Sequence, residues 1–164
     1  MKNVALIGMP ASGKSTIGLL LAKSTGMAFV DTDLLVQQRE GLLLQQIIDS
    51  SGIKHFLRVE ESVTMGLAVH RHVIATGGSV IYNQGAVEHL LHNGTLIYLK
   101  VGCKELLKRL TNPGSRGIVI NAGQTFEDLY RERTPLYEKY ACFTVDCSAK
   151  AMESIVAEIV EFLA

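Results

Sequence analysis

The 164-residue sequence contains no tryptophan and only three cysteines, which form no C-x-x-C pair. An odd number of cysteines without such a pair argues against a disulfide framework or a four-thiolate zinc site and favours a reducing compartment. Neither positive nor negative charge is in excess, because 16 lysines and arginines balance 16 aspartates and glutamates. No global field therefore attracts DNA, RNA or an acidic membrane. We expect a cytoplasmic protein that binds neither nucleic acid nor membranes.

Long uncharged apolar runs are also missing from the sequence. No such run reaches the roughly 18 residues that a transmembrane helix needs, because Lys14 and Lys23 bracket the most apolar stretch. Residues 10–13 would likewise interrupt the apolar segment of a signal peptide. Hydrophobic residues nevertheless make up 48% of the chain, which is enough to form a core. The length fits a single domain over residues 1–164, and we expect it to be a monomer.

Short apolar segments alternate with segments of helical periodicity along the chain. The apolar segments are residues 4–7, 28–31, 73–76, 96–99 and 143–145. The predicted helices are residues 15–25, 34–51 with breaks at Gly41 and Gly52, 54–69, 86–92, 104–110, 125–137 and 152–163. Most of the apolar segments lack polar alternation, which is typical of parallel strands that are buried on both faces. The sequence therefore predicts a three-layer α/β fold with a five-stranded parallel sheet flanked by helices.

Residues 8–15 match the phosphate-binding motif G-x-x-x-x-G-K-[ST], directly after the first predicted strand and at the start of a helix. The glycines let backbone N–H groups turn toward a phosphate, and the helix N-terminus adds its positive end. Lys14 would reach the terminal phosphates, while the Ser15 hydroxyl would coordinate Mg²⁺. The expected nucleotide-binding residues of this loop are Met9, Pro10, Ala11, Ser12, Gly13, Lys14, Ser15 and Thr16.

A triphosphate site on a chain of this size leaves three classes of protein: a GTPase switch, a nucleotide kinase and a kinase of a small metabolite. The sequence has no guanine-reading N-K-x-D motif, which disfavours the switch. Asp31 and Asp33 follow the second predicted strand. Asp31 would hold magnesium, and Asp33 would face an acceptor hydroxyl. The alternative is that Asp33 only caps the helix that follows.

Several further motifs occur in the order found in one kinase family. They are Gly8–Thr16, Asp31–Asp33, Phe56–Glu61, Ala75–Gly78, Arg109, Arg116, Arg133–Tyr137 and Val145–Asp146. On these residues the sequence resembles the shikimate kinases over nearly its whole length. The resemblance implies a P-loop kinase fold of the nucleoside-monophosphate-kinase type, with acceptor-binding helices at residues 33–61 and a short lid at residues 112–123. The implied reaction is the ATP-dependent phosphorylation of the 3-hydroxyl of shikimate, a small hydroxy acid, with Mg²⁺ as the metal.

The resemblance also implies individual roles. Ser15 and Asp31 would be the magnesium pair, and Asp33 would orient and deprotonate the acceptor hydroxyl. Lys14 and Arg116, an arginine reaching across the phosphates from the lid, would complete the catalytic set with Asp33. The other implied contacts are Arg109, Arg116 and Lys150 with the nucleotide, and Asp33, Gly77, Gly78 and Arg133 with the acceptor.

Three positions depart from the family pattern. Leu57 stands where the pattern F-R-x-x-E has an arginine that binds the acceptor carboxylate. Ser79 replaces the last glycine of a triplet, and Gly117 replaces a proline, which would loosen the lid. Arg58 is the candidate substitute for the missing arginine, although it is rotated by about 100° around the helix from position 57. These departures leave two alternatives open: a kinase of a related polyol or sugar acid, and an ATP-binding regulator without catalysis.

Overall fold

The computed structural model, which describes residues 2–110 and 117–164, is built on a five-stranded parallel sheet. The strands are β1 Asn3–Ile7, β2 Ala28–Asp31, β3 His72–Ala75, β4 Gly94–Lys100 and β5 Phe143–Asp146. Their order is β2-β3-β1-β4-β5, and each neighbouring pair is parallel. Every residue of β1 is buried, so both faces of the sheet centre are covered. The predicted α/β fold is confirmed.

The helices lie in the predicted segments, and both predicted glycine breaks are present. They are α1 Lys14–Thr25, α2 Thr32–Glu40, α3 Leu44–Met65, α4 Gln84–Asn93, α5 Cys103–Arg109, α6 Phe126–Tyr140 and α7 Met152–Leu163. Gly41 ends α2 in a left-handed conformation, as expected of a helix-ending glycine. Gly52 likewise has a non-helical backbone (φ 83°, ψ 166°) and interrupts α3 at a kink, so the break predicted there is confirmed. A 3₁₀-helix at Gly78–Tyr82 was not predicted.

The strand register brings three strand ends to the same edge of the sheet. Leu6 pairs with Ala75, and Asp31 pairs with the same residue from the other side. β1 is the central strand, with β2 and β3 on one side of it and β4 and β5 on the other. Because the chain changes sides at β1, a crevice opens outside these carboxyl ends. Ligands of parallel α/β sheets bind at such a crevice. The phosphate-binding loop leaves β1 at this point.

The hydrophobic core has a large part around the sheet and a small part beside the crevice. The small core contains Val36, Ile47, Phe56, Val59 and Val119, with Leu57 among the partly buried residues packed against it. It joins α2 to α3 and to the segment after residue 117. Among the described residues, none of the helices has the length and apolar composition required to span a membrane.

The structure predicts an unequal cost for two leucine truncations. Leu6→Ala should lower the free energy of unfolding by about 2–5 kcal/mol, because Leu6 is fully buried in β1. Leu34→Ala on α2 should change it by only about 0.5 kcal/mol, because that side chain is 61% exposed. Urea unfolding followed by circular dichroism measures both values. Equal losses would contradict this assignment of the core.

Candidate active site

A cavity of about 600 Å³ lies at the carboxyl ends of β1, β2 and β3. The predicted site residues that line it are Pro10, Ala11, Gly13, Lys14, Ser15, Thr16, Asp33, Gly77, Gly78, Arg109 and Arg133. The fold thus brings the phosphate-binding loop and the predicted acceptor residues into one space. Met9 and Ser12, which also belong to the loop, are buried and do not line the cavity.

The phosphate-binding loop is held open by its own lysine. Lys14 Nζ donates hydrogen bonds of 2.8 Å to the carbonyl oxygens of Gly8 and Met9. Gly13 adopts a left-handed conformation (φ 94°), and no side chain caps the first turn of α1. The N–H groups of that turn are therefore available to an anion in the cavity. Burial lowers the pKa of Lys14 to about 8, against the opposing effect of Asp33.

Asp31 connects the magnesium pair to the start of α2. Its Oδ2 accepts a hydrogen bond of 2.6 Å from the Ser15 hydroxyl, and its Oδ1 accepts one from the backbone N–H of Asp33. Asp31 is therefore the residue that caps α2, and the alternative that Asp33 serves only as the cap is wrong. A hydroxyl and a carboxylate in contact at the cavity edge are the hard oxygen ligands that suit Mg²⁺, which binds few protein groups besides substrate phosphates.

Asp33 points toward Gly77 on the acceptor side. A β-carbon built on Gly77 would lie 2.9 Å from Asp33 Oδ1, so only glycine allows this approach. The glycine turn is fixed on both sides, because the N–H of Gly77 donates to the Thr32 hydroxyl and the Tyr137 hydroxyl donates to the Gly78 carbonyl. Burial, followed by the neighbouring Asp31, raises the pKa of Asp33 to about 6. A carboxylate with this pKa is suited to general-base chemistry.

Arg133 is a buried cation that faces the cavity. Its Nη2 donates to the Val119 carbonyl at 2.8 Å, and its Nε donates to the Tyr82 hydroxyl at 3.2 Å. A β-carbon on Gly78 would lie 3.0 Å from its Nη1. Within residues 2–110 and 117–164, no carboxylate lies within ion-pair distance of this guanidinium. Its charge is therefore available to an anionic ligand.

Glu60 and Ser79 form a buried pair that the sequence did not predict. Glu60 is fully buried on α3, and its Oε2 accepts a hydrogen bond of 2.7 Å from Ser79 Oγ. Burial raises the pKa of Glu60 to about 7, while the bond from Ser79 opposes the rise. The other lining residues missing from the prediction are Gln37, Leu43, Leu44, Gln45, Phe56, Thr76, Ile118 and Val119. Phe56 and Thr76 belong to the family motifs without a role predicted for them, whereas no motif marks Gln37, Leu43, Leu44 or Gln45, which reach the cavity through the packing of α2 and α3.

Arg58 and Lys150 are predicted site residues that do not line the cavity. Lys150 is exposed and pairs with Glu158 at 2.6 Å. Arg58 is exposed on α3, because its rotation from position 57 turns it away from the cavity. Arg116 lies outside the described residues, as do residues 112–115 of the predicted lid. The roles expected for these arginines and this lysine stay predictions, and the structure does not place Arg58 where it would replace the arginine missing at position 57.

The remaining predicted residues and departures have clear surroundings. Arg109 does line the cavity, donating to the Ala11 carbonyl at 3.1 Å and pairing with Glu105. Gly117, expected to loosen the lid, instead packs against Leu44 and donates to Gln45 Oε1. Its φ of 65° excludes proline, whose ring fixes φ near −65°.

The fold and the site define a P-loop kinase. A family model described as shikimate kinase matches residues 10–164, and the chain belongs to that family. A shikimate kinase of Caldanaerobacter subterraneus is 31% identical over 163 residues, covering 98% of this chain and 95% of the relative. One from Mycobacterium avium is 35% identical over 161 residues, covering 96% and 91%. The structure of shikimate kinase from Acinetobacter baumannii in complex with shikimate superposes with a TM-score of 0.92 at 27% identity, covering 99% of this chain and 93% of that one.

The raised pKa of Glu60 predicts a pH-dependent stability difference. Between its ordinary pKa of 4.5 and about 7, the folded state keeps a proton that the unfolded state releases, so the wild type loses stability as pH rises. Glu60→Gln removes this titration. Its stability relative to the wild type should therefore rise between pH 4.5 and pH 8 by on the order of 2 kcal/mol, or about 4–8 °C in Tm. A Tm difference that is constant with pH would contradict the buried ionisation.

Proposed function

We propose that this protein uses ATP and Mg²⁺ to phosphorylate the 3-hydroxyl of shikimate. The observation that carries the proposal is the buried Arg133, which lines the same cavity as Asp33 and the phosphate-binding loop. An acceptor held there by a carboxylate would place a hydroxyl near a base and near the phosphate site. The family membership of the chain supports the same acceptor.

On the nucleotide side, the phosphate-binding loop would hold the phosphates of ATP with its backbone N–H groups. Lys14 would stabilise the negative charge that moves during transfer. Ser15 and Asp31 would hold Mg²⁺, which when bound neutralises charge on the β- and γ-phosphates. Arg109, at the cavity wall, would contact the nucleotide. We also propose that Arg116 reaches the phosphates from the lid.

On the acceptor side, Asp33 would accept the proton of the attacking hydroxyl. Its pKa of about 6 leaves it largely ionised at neutral pH while keeping it a stronger base than an exposed aspartate. Gly77 and Gly78 would let the acceptor approach their backbone closely. Arg133 would bind the acceptor carboxylate, and the packing of α2 and α3 would exclude water.

Leu57 favours one alternative acceptor. Its side chain packs against the small core rather than lining the cavity, so the acceptor side has a single described arginine. A related polyol or sugar acid needing fewer carboxylate contacts would also fit. Purified protein should be assayed for ADP release with shikimate and with a panel of such acids, and the product located by ³¹P NMR. The absence of shikimate-dependent ADP release at millimolar acceptor would contradict the proposed acceptor, and its absence with every acid would favour the regulator without catalysis.

Removal of the loop lysine tests the phosphoryl-transfer assignment. Lys14→Ala should lower kcat at least a hundredfold, because several kcal/mol of charge stabilisation are lost from the transferring group. Lys23→Ala is the matched control, since Lys23 is an exposed lysine on the same helix. It should retain near wild-type activity. A folded Lys14→Ala variant with near wild-type turnover would refute the role of Lys14.

Arg133→Lys tests how the acceptor carboxylate is held. Lysine keeps the positive charge but loses the planar fork of donors that matches a carboxylate. The KM for shikimate should rise about tenfold to a hundredfold, whereas the KM for ATP should stay within about threefold. Steady-state kinetics with each substrate varied in turn measures both. A parallel rise of the two constants would indicate a general distortion of the site instead.

A further inference from the structure

The carboxylate of Glu60 is buried beside the acceptor cavity and has a single hydrogen-bond donor among the described residues. Ser79, itself 4% exposed, donates from Oγ to Glu60 Oε2 at 2.7 Å. Glu60 Oε1 has no hydrogen-bond partner within the described part of the chain. The charged groups that face this carboxylate are Lys14, Arg133 and Asp33, and neither cation lies within ion-pair distance among the described residues. The orientation of Glu60 therefore depends on the Ser79 hydroxyl.

The same carboxylate lies against the glycine turn of the active site. A β-carbon on Gly77 would collide with Glu60 Oε1 and would also lie 2.9 Å from Asp33 Oδ1. Two acidic side chains thus approach the same position beside Gly77, where a β-carbon would lie. A shift of the Glu60 carboxylate changes the space left for Gly77 and, through it, the surroundings of Asp33.

Position 57 explains why a serine hydroxyl matters here. Residues 57 and 60 are three apart on α3, so a cation at position 57 would be a neighbour of Glu60. Leu57 supplies no donor and packs against the small core, and Arg58 is turned away to solvent. Ser79 stands close enough to supply the bond that Leu57 lacks.

We propose that Ser79 is a positioning residue, whose hydroxyl fixes the Glu60 carboxylate and thereby keeps Gly77 and Asp33 arranged for the acceptor. This inference rests on the proposed function and concerns a serine that replaces a glycine of the family pattern. Without the hydroxyl, both oxygens of this buried carboxylate lack a donor in the described part of the chain, which is costly. The group must then move or take up a proton, and either change alters its contact with Gly77.

Ser79→Ala is the test, and Thr64→Val is its matched control. Thr64 is fully buried and donates to the backbone carbonyl of Glu60 rather than to the carboxylate. Ser79→Ala should lower kcat/KM for shikimate at least tenfold with the KM for ATP within twofold, whereas Thr64→Val should keep both within twofold. Unchanged kcat/KM in Ser79→Ala, or an equal loss in Thr64→Val, would overturn the inference. Wild-type protein is assayed alongside, because its inactivity with shikimate contradicts the proposed function instead.

A double-mutant cycle with Leu57→Arg separates positioning from direct binding. If the new arginine bonds to Glu60, it should improve kcat/KM for shikimate at least fivefold more in Ser79→Ala than in the wild type. An arginine that only contacts the acceptor would improve both backgrounds equally, and that result would overturn the link to Glu60.

Thermal unfolding tests the same pair without any activity. Ser79→Ala should lower Tm more at pH 8, where Glu60 is ionised, than at pH 5, because the lost hydrogen bond favours the charged form. In the Glu60→Gln background this pH dependence should disappear. A Tm loss that is the same at both pH values would overturn the role of the hydroxyl in holding the carboxylate.

Discussion

Four charged side chains share one cavity without a direct ion pair between any two of them within the described residues: Lys14, Asp33, Glu60 and Arg133. Burial alone would make such an arrangement costly. Three of the four are instead held by neutral groups: carbonyls accept from Lys14 and Arg133, and a hydroxyl donates to Glu60. The cations of the site therefore lack ion-pair partners within the described residues, and bound phosphates and an anionic acceptor can supply them. The helices and turns around the cavity position the groups that hold these charges.

The nucleotide half of the site could be predicted because its chemistry is local in sequence. The motif, the strand before it and the helix after it occupy adjacent residues, so the pattern at residues 8–15 fixes the loop geometry. The parallel sheet could be predicted for a similar reason, since apolar segments without alternation indicate strands buried on both faces. The identity of the α2 cap could not be predicted, because Asp31 and Asp33 are equally able to cap a helix. Only the structure distinguishes them.

The acceptor half depends on contacts between residues that are distant in sequence, so less of its geometry could be predicted. Ser79 and Glu60 are 19 residues apart, and the hydrogen bond between them follows from how α3 packs over the 3₁₀-helix. The exposure of Arg58 likewise depends on which face of α3 meets the small core. Gly117 looked like a loosening of the lid, yet its left-handed backbone fits closely against Leu44. Each departure from the family pattern has a contact that explains it only once the chain is folded.

Two of the departures, Leu57 and Ser79, lie on the acceptor half, where they change its balance of charge. The arginine expected at position 57 would have added a second cation beside Arg133, whereas Ser79 adds a donor without charge. Among the described residues, Arg133 and Lys14 are then the cations that act on Glu60. An anionic acceptor placed next to Glu60 would raise the pKa of that carboxyl further, because like charges disfavour ionisation. Acceptor binding and protonation of Glu60 therefore favour each other thermodynamically, whereas the hydroxyl of Ser79 favours the ionised form of Glu60 and opposes that protonation.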